Sequence, residues 1–329
     1  MLDKRLIDLT QWVEQRLGEQ GIGVTAASSD ASFRRYFRIT AGGGSYIVMD
    51  APPDKEDTGP YVQVSNRLFE IGLNVPEILD SDDTQGFLLL TDLGTKTYLG
   101  QLTPQTVERL YGDALGALIV LQTGTYTDPN GFPDYDDLLL MEEMELFRYW
   151  YVGRHLKQSL TASQHRTLDD MFSLLLDSAK AQAKVWVHRD YHSRNLMVTP
   201  TNNPGILDFQ DAVSGPVTYD LVSLLRDCYI CWPKERVEEW AKGYQNLARQ
   251  SGLPVGDDEQ RFIQDFDWMG VQRHLKVLGI FSRLSYRDGK TSFLDDLPQV
   301  YRYLIEVCGN YPDLKPLHSL LLQFPPPEL

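Results

Sequence analysis

Apolar positions follow two different rhythms along this chain. The opening run mixes charges with apolar residues and predicts an amphipathic helix over about residues 4–18. Strand-like runs follow at residues 33–39 and 45–49, with Gly42, Gly43 and Gly44 between them reading as a hairpin turn. A helix over about residues 60–71 stops at Gly72, which fits a C-terminal cap, and residues 75–79 and 86–90 read as further strands. Beyond Thr91–Thr95 the helical period takes over. It predicts helices near 104–121, 138–155, 162–183, 217–231, 235–250, 258–285 and 298–308. Thr161 followed by Gln164 is a capping-box pair. Residues 124–137, rich in Gly, Pro, Asp and Asn, read as a surface loop, and residues 324–329 as a frayed tail. The expectation is an α+β chain in three parts: a β-rich lobe (1–91) with an antiparallel sheet of about five strands on one main helix, a hinge (92–97), and a helical lobe (98–329).

Composition narrows the classes. A chain of 329 residues is long enough for two lobes sharing a cleft, and 42% hydrophobic with 23% charged residues supports a packed core. The formal net charge of −15 opposes nucleic-acid binding, although a nucleotide still binds an acidic protein when a metal bridges the two. No apolar run approaches the ~20 residues of a membrane span, and the opening run has no signal-peptide h-region. The expectation is a cytoplasmic monomer with a small-molecule partner and neither membrane nor nucleic acid. Cys228, Cys231 and Cys308 cannot build a disulfide framework, and the lone CxxC of Cys228 and Cys231 reads as buried helix cysteines.

One non-helical island, residues 185–209, interrupts the helical half. It contains His188-Arg189-Asp190 and, five residues after Asp190, Asn195: the pattern H-R-D-x-x-x-x-N. A Pro/Asn/Gly turn follows, then Ile206-Leu207-Asp208-Phe209-Gln210. Phosphoryl transfer needs a carboxylate to orient the attacking hydroxyl and accept its proton, which Asp190 supplies. It also needs hard oxygen donors for Mg²⁺, which Asn195 and Asp208 supply, brought together by a hairpin. His188 is expected to hold the loop through a backbone hydrogen bond rather than to move a proton, and the same caution applies to His192.

The island resembles the Brenner motif of the aminoglycoside phosphotransferase/choline kinase superfamily, the protein-kinase-like small-molecule kinases. The resemblance continues through Gly215, Pro216, Asp220 and Leu221, similar to a G-x-P-x-x-D-L stretch whose Asp lies under the catalytic loop; Asp220 is accordingly expected to be structural. It implies a two-lobed protein-kinase-like fold, ATP and Mg²⁺ as cofactors, Asp190 as the catalytic residue, and backbone groups of Thr91 and Leu93 facing adenine. Within the superfamily, residues 32–38, 47–53, 86–94 and 187–210 are similar to bacterial anomeric amino-sugar kinases. That likeness implies transfer to the anomeric hydroxyl of N-acetylmuramate or N-acetylglucosamine, giving the sugar 1-phosphate for cell-wall recycling. An aminoglycoside- or choline-type alcohol kinase, or a non-catalytic nucleotide-binding scaffold, remains open.

Two departures matter. The Gly-rich loop of protein kinases is absent, and the small residues at 27–32, including Ser29 and Ser32, stand in its place as candidates for phosphate approach. The strand lysine of protein kinases is also absent, since residues 46–50 end in Asp50. Arg34 and Arg35 are the candidate cations; strand alternation sends them to opposite faces, so at most one points at the nucleotide, and Lys55 is a weaker candidate. For the acceptor, Gln210 and Asp211 follow the metal ligand directly and are expected to bind hydroxyls. Arg226, Tyr229 and Trp232 are candidates for a carboxylate and a sugar face, with Arg273, His274 and Arg283 on later helices.

Overall fold

The computed structural model describes residues 3–29 and 33–327. In chain order the elements are α1 (Lys4–Leu17), β1 (Gly23–Ser29), β2 (Arg35–Ala41), β3 (Gly44–Asp50), α2 (Gly59–Glu70), β4 (Ile78–Asp82), β5 (Phe87–Thr91), α3 (Tyr98–Gln101), α4 (Val107–Thr123), α5 (Asp137–Leu146) and α6 (Ala162–Ala181). They continue with β6 (Lys184–Val187), β7 (Leu196–Met197), β8 (Gly205–Ile206), β9 (Val213–Pro216), α7 (Tyr219–Leu225), α8 (Lys234–Gln250), α9 (Glu259–Asp288), α10 (Leu297–Asn310) and α11 (Lys315–Leu321). These divide into two compact units, Met1–Gln101 with Asn195–Asp211, and Leu102–Arg194 with Ala212–Leu329. The first break between the units thus falls after Gln101, and the hairpin after Asn195 groups with the β-rich unit.

The first unit contains the expected antiparallel sheet, in the order β1-β2-β3-β5-β4. Alternation gives the sheet two apolar faces. Leu9, Trp12 and Val13 of α1 pack with Ile39, Val48, Phe87 and Leu89 on one of them. Met49, Leu88 and Leu90, which alternate to the other side, are buried as well. The β2–β3 turn closes through Gly42 and Gly43, both at positive φ (58° and 78°), the backbone a two-residue hairpin demands. Residues 27–29, expected in a phosphate loop, instead end β1. Strand β4 runs three residues later than expected, because Pro76 and the preceding Val75 sit in the approach to it.

The second unit is helical around α9, thirty residues long and buried on most sides. Where α9 meets the end of α5 only a glycine fits: a Cβ on Gly279 would lie 2.3 Å from the Leu146 carbonyl carbon. The helix expected over 138–155 is α-helical only to Leu146 and continues as a π-helix, Phe147–His155, which keeps Phe147, Tyr151 and Val152 buried. The helix expected over 217–231 stops at Leu225, so neither Cys228 nor Cys231 is helical; Cys228 is buried and Cys231 exposed. The stretch expected to be a surface loop buries Phe132 and Tyr135. The tail expected to fray follows α11 and buries Phe324, which packs edge-on against Phe147. Among the described residues no helix is long and apolar enough to cross a membrane.

Candidate active site

The catalytic loop leaves β6 at Val187 and belongs to the helical unit. Two buried carboxylates hold it. Asp220, in the first turn of α7, accepts from the backbone N–H of His188 (2.6 Å) and of Arg189 (3.0 Å). Asp227, just beyond α7, accepts from Ser193 N–H (2.9 Å) and Tyr229 N–H (3.1 Å). His188 Nδ1 accepts from Asp190 N–H at 3.2 Å, so the expected loop-holding role of His188 is what its ring does. Between these anchors Arg189 adopts a positive φ of 77°, a conformation that costs a non-glycine residue about 1–3 kcal/mol and recurs where a site over-determines its backbone. Asp220 is indeed structural, but it caps the catalytic loop rather than its own helix.

Behind the loop lies a buried ionic cluster. Glu143 of α5 takes both Arg189 (2.6 Å) and Lys276 of α9 (2.7 Å), and Tyr135 donates its hydroxyl to the same carboxylate. Lys276 also donates to Tyr219 Oη at 2.9 Å, and Arg273 donates to Arg189 O at 3.3 Å. The cluster sets the state of Asp190. Burial pushes its carboxyl up, but the Lys276, Arg273 and Arg189 cations outweigh burial and lower it to about 2. Asp190 is therefore an ionised acceptor at neutral pH. Burial lowers His192 below its ordinary range, which leaves that imidazole neutral.

The hairpin that carries the candidate metal ligands belongs to the β-rich unit. β7 and β8 pair with Leu196 opposite Ile206 and Met197 opposite Gly205, and Leu207 N–H donates to Asn195 O at 2.9 Å, which closes the ends. Asn195 and Asp208 meet at 3.3 Å, and Gln210 Nε2 donates to the other Asp208 oxygen at 2.9 Å. Asp208 takes a positive φ of 64°, and Phe209 beside it is fully buried with its ring 4.9 Å from that of Tyr61. The buried Gln210 Oε1 has no hydrogen-bond partner among the described residues. A carboxylate, an asparagine amide and an orphaned amide oxygen form an all-oxygen donor set that fits Mg²⁺, which binds through few protein ligands and completes its shell with water and phosphate. Asp211 is exposed.

The two candidate cations separate as alternation requires. Arg35 lies opposite Asp50 in the β2–β3 register, and Asp50, fully buried on the α1 face, takes both Arg35 and Arg5. Arg35 also pairs with Asp3. Arg34 pairs instead with Glu56 at 3.3 Å and lies within electrostatic reach of Tyr36 and Tyr61, and Tyr61 in turn feels Asp208. Lys55 lies 5.6 Å over the Phe33 ring. Thr91 spends its backbone N–H and its hydroxyl on Glu77, so the N–H expected to face adenine is engaged within the sheet. Leu93 is half-buried, Ser29 ends β1, and Ser32 lies outside the described residues.

Several acceptor expectations are corrected. Arg226 is buried, ion-paired with Asp267 and 4.7 Å over Phe266, so it is a core ion pair rather than a carboxylate receptor. Trp232 donates its indole N–H to Tyr111 Oη at 3.1 Å and packs edge-on against Tyr111 and Trp240. Tyr229 is half-buried, with the Arg194 guanidinium carbon 3.6 Å over its ring and the Phe281 ring near-parallel at 6.1 Å, so the face under Arg194 is not open to a sugar. Arg273 and His274 are buried in the interior of the unit. Glu143, Lys276 and Asp227 were not legible as site residues, because each lies far in sequence from the loop it serves or on a helix whose period marks the position as ordinary core.

A protein-kinase-like catalytic loop and an oxygen-ligand hairpin, on a chain with an antiparallel sheet and a helical unit, define a phosphotransferase. The chain belongs to the phosphotransferase enzyme family (APH), whose family model matches residues 23–259. Among curated proteins it is 47% identical to the N-acetylmuramate/N-acetylglucosamine kinase of Pseudomonas putida, over 98% of this chain and 97% of that one. It is 43% identical to the kinase of the same name from Neisseria meningitidis serogroup B, over 97% and 96%. Among solved structures it resembles ADP-bound aminoglycoside phosphotransferase APH(2'')-Ib, with a TM-score of 0.57 at 16% identity, covering 92% of this chain and 97% of that one. The fold is thus the kinase-like fold of these enzymes, and phosphoryl transfer to a hydroxyl acceptor is the family's reaction.

Proposed function

We propose that this protein is an ATP- and Mg²⁺-dependent kinase acting in the cytoplasm on the anomeric hydroxyl of N-acetylmuramate and N-acetylglucosamine. The observation that carries the acceptor is the near-full-length identity of 43–47% to kinases of that name. The aminoglycoside enzymes, at 16% identity and below among those compared, speak for the fold alone. Asp190, ionised by its cationic surroundings, accepts the proton of the attacking hydroxyl. The hydroxyl oxygen bonds to the γ-phosphorus as the bond to the β-phosphate oxygen breaks; ADP leaves, and Asp190 returns its proton to solvent. Asn195 and Asp208 are the residues that hold the metal, with Gln210 bracing Asp208. Bound Mg²⁺ supplies charge neutralisation on the phosphates. Arg34 supplies the cation that the strand lysine provides in protein kinases, because it, rather than Arg35, shares the surroundings of Tyr61 and Asp208.

An anomeric hydroxyl suits this arrangement. The ring oxygen on the same carbon makes it more acidic than an ordinary sugar alcohol, so a carboxylate of low basicity suffices. The test is incubation with ATP, Mg²⁺ and N-acetylglucosamine, followed by reducing-end and ³¹P measurements. Loss of reducing ends with a sugar 1-phosphate signal is expected. A 6-phosphate with reducing ends intact refutes anomeric transfer and leaves the kinase standing.

A further inference from the structure

N-acetylmuramate differs from N-acetylglucosamine by a lactyl ether that carries a carboxylate at neutral pH. A kinase that takes both must accommodate that charge without requiring it. Arg226, the cation that the sequence offers for this task, is consumed by Asp267 in the interior of the helical unit. A different arginine stands in the catalytic loop itself. Arg194 is four residues after Asp190 and immediately before Asn195 in the chain.

Its surroundings make it a prepared group. The guanidinium carbon lies 3.6 Å over the Tyr229 ring, close enough for face-on stacking. Tyr229 is itself fixed: Phe281 lies near-parallel to it at 6.1 Å, its backbone N–H is held by Asp227, and His192 meets it edge-on at 5.4 Å. Stacking fixes the plane of the guanidinium and leaves its N–H edge, the part that grips a carboxylate in two parallel bonds, directed along that plane. The one ion pair of Arg194 among the described residues is with Asp296, and at 3.9 Å it is too long for a hydrogen bond. The side chain is 45% exposed, unlike the buried Arg226 at 6%. His192 lies within electrostatic reach of both Asp190 and Arg194, so the guanidinium and the candidate base share one neighbour in the loop.

We propose that Arg194, laid flat on Tyr229, is the specificity residue that binds the lactyl carboxylate of N-acetylmuramate, with Asp296 as the counter-charge that holds it when the acceptor is neutral. This rests on the acceptor class given under the proposed function. It assigns Tyr229 a positioning role in place of sugar stacking. N-acetylglucosamine brings no anion, leaves the Arg194–Asp296 pair intact and remains a substrate.

The test compares N-acetylmuramate with its methyl ester, which has nearly the same shape and no charge, and uses N-acetylglucosamine as the reference acceptor. The unmodified protein is expected to prefer the acid over the ester in kcat/KM, and Arg194→Gln to lower that acid-to-ester ratio ~10-fold or more, the loss of one charge-assisted pair. Arg194→Lys, which keeps the charge and loses the fork, should fall between them. Should Arg194→Gln fail to fold by circular dichroism, the ratio in Arg194→Lys decides. An acid-to-ester ratio equal in variant and unmodified protein overturns the proposal, as does an unmodified protein that phosphorylates N-acetylglucosamine and not N-acetylmuramate. If neither sugar is phosphorylated, the acceptor class itself is wrong and the role of Arg194 falls with it.

Discussion

Residues 188–194 hang from two buried carboxylates and face a cluster of cations, whereas Asn195, Asp208 and Gln210 are braced by neutral amides. The two segments are consecutive in the chain, yet they are held by different kinds of group. In the loop the protein itself supplies the compensating charge: Lys276, Arg273 and Arg189 hold Asp190 as an anion before any substrate arrives. In the hairpin two amides bond Asp208, Asn195 Nδ2 at 3.3 Å on one oxygen and Gln210 Nε2 at 2.9 Å on the other, and in the proposed mechanism the Asp208 charge faces the cation that comes with the nucleotide. A general base must be ready in advance, while a metal ligand must keep its charge uncommitted until the metal binds.

The sharpest way to break this contrast is to neutralise each carboxylate in turn. Asp190→Asn should lower kcat by ~10³-fold or more while leaving Mg-ATP affinity near that of the unmodified protein in a calorimetric titration. Asp208→Ala should lower both, the affinity by at least the ~10–100-fold that loss of a mere outer-shell partner costs a metal site. If Asp190→Asn kept most of its activity, the proton acceptor would have to be another group, and the cationic cluster would serve only the fold.

A finer comparison lies within the sheet. Arg34→Ala should raise KM for ATP and lower kcat by ~1–3 kcal/mol combined, the worth of one charge-assisted contact. Arg35→Ala should leave ATP kinetics nearly unchanged and instead lower the urea midpoint, because it strips one partner from the buried Asp50. Silence of Arg34→Ala in steady-state kinetics would leave the metal as the main charge clamp.

The smallest effect concerns pH. Asp190 titrates in the folded protein at about 2, below its ordinary 3.8. A depressed carboxyl adds stability above the unfolded value and loses it as pH falls through the folded one. The same carboxylate stays ionised across about pH 5–8, so kcat/KM should show no acid limb from the base in that interval. An inflection there that moved in Arg273→Gln would place the titration of Asp190 within the working range and contradict the electrostatic reading.

The class of chemistry was legible before the fold because phosphoryl transfer calls for a base and oxygen ligands, and Asp190, Asn195 and Asp208 offer those residue types within twenty residues of chain. The rest of the site was not. Arg226, Tyr229 and Trp232 had the right side chains for a charged sugar, but Arg226 is ion-paired with Asp267, Trp232 is bonded to Tyr111, and Tyr229 carries Arg194 on its ring. Glu143 and Lys276 looked like ordinary helix positions, since nothing in a helical period records which charge will be buried opposite which.

What the sequence determined by itself, then, is what is local: the hairpin that joins Asn195 to Asp208, the alternation that parts Arg34 from Arg35, and the caps and periods that make helices. Only the tertiary structure decided which cation meets which anion. The reach of a side chain across a strand or a turn follows from backbone geometry over a few residues. The pairing of Asp220 with His188, of Asp50 with Arg5, or of Arg194 with the face of Tyr229 depends on the packing of segments some thirty or more residues apart, and that packing is settled by the whole core at once.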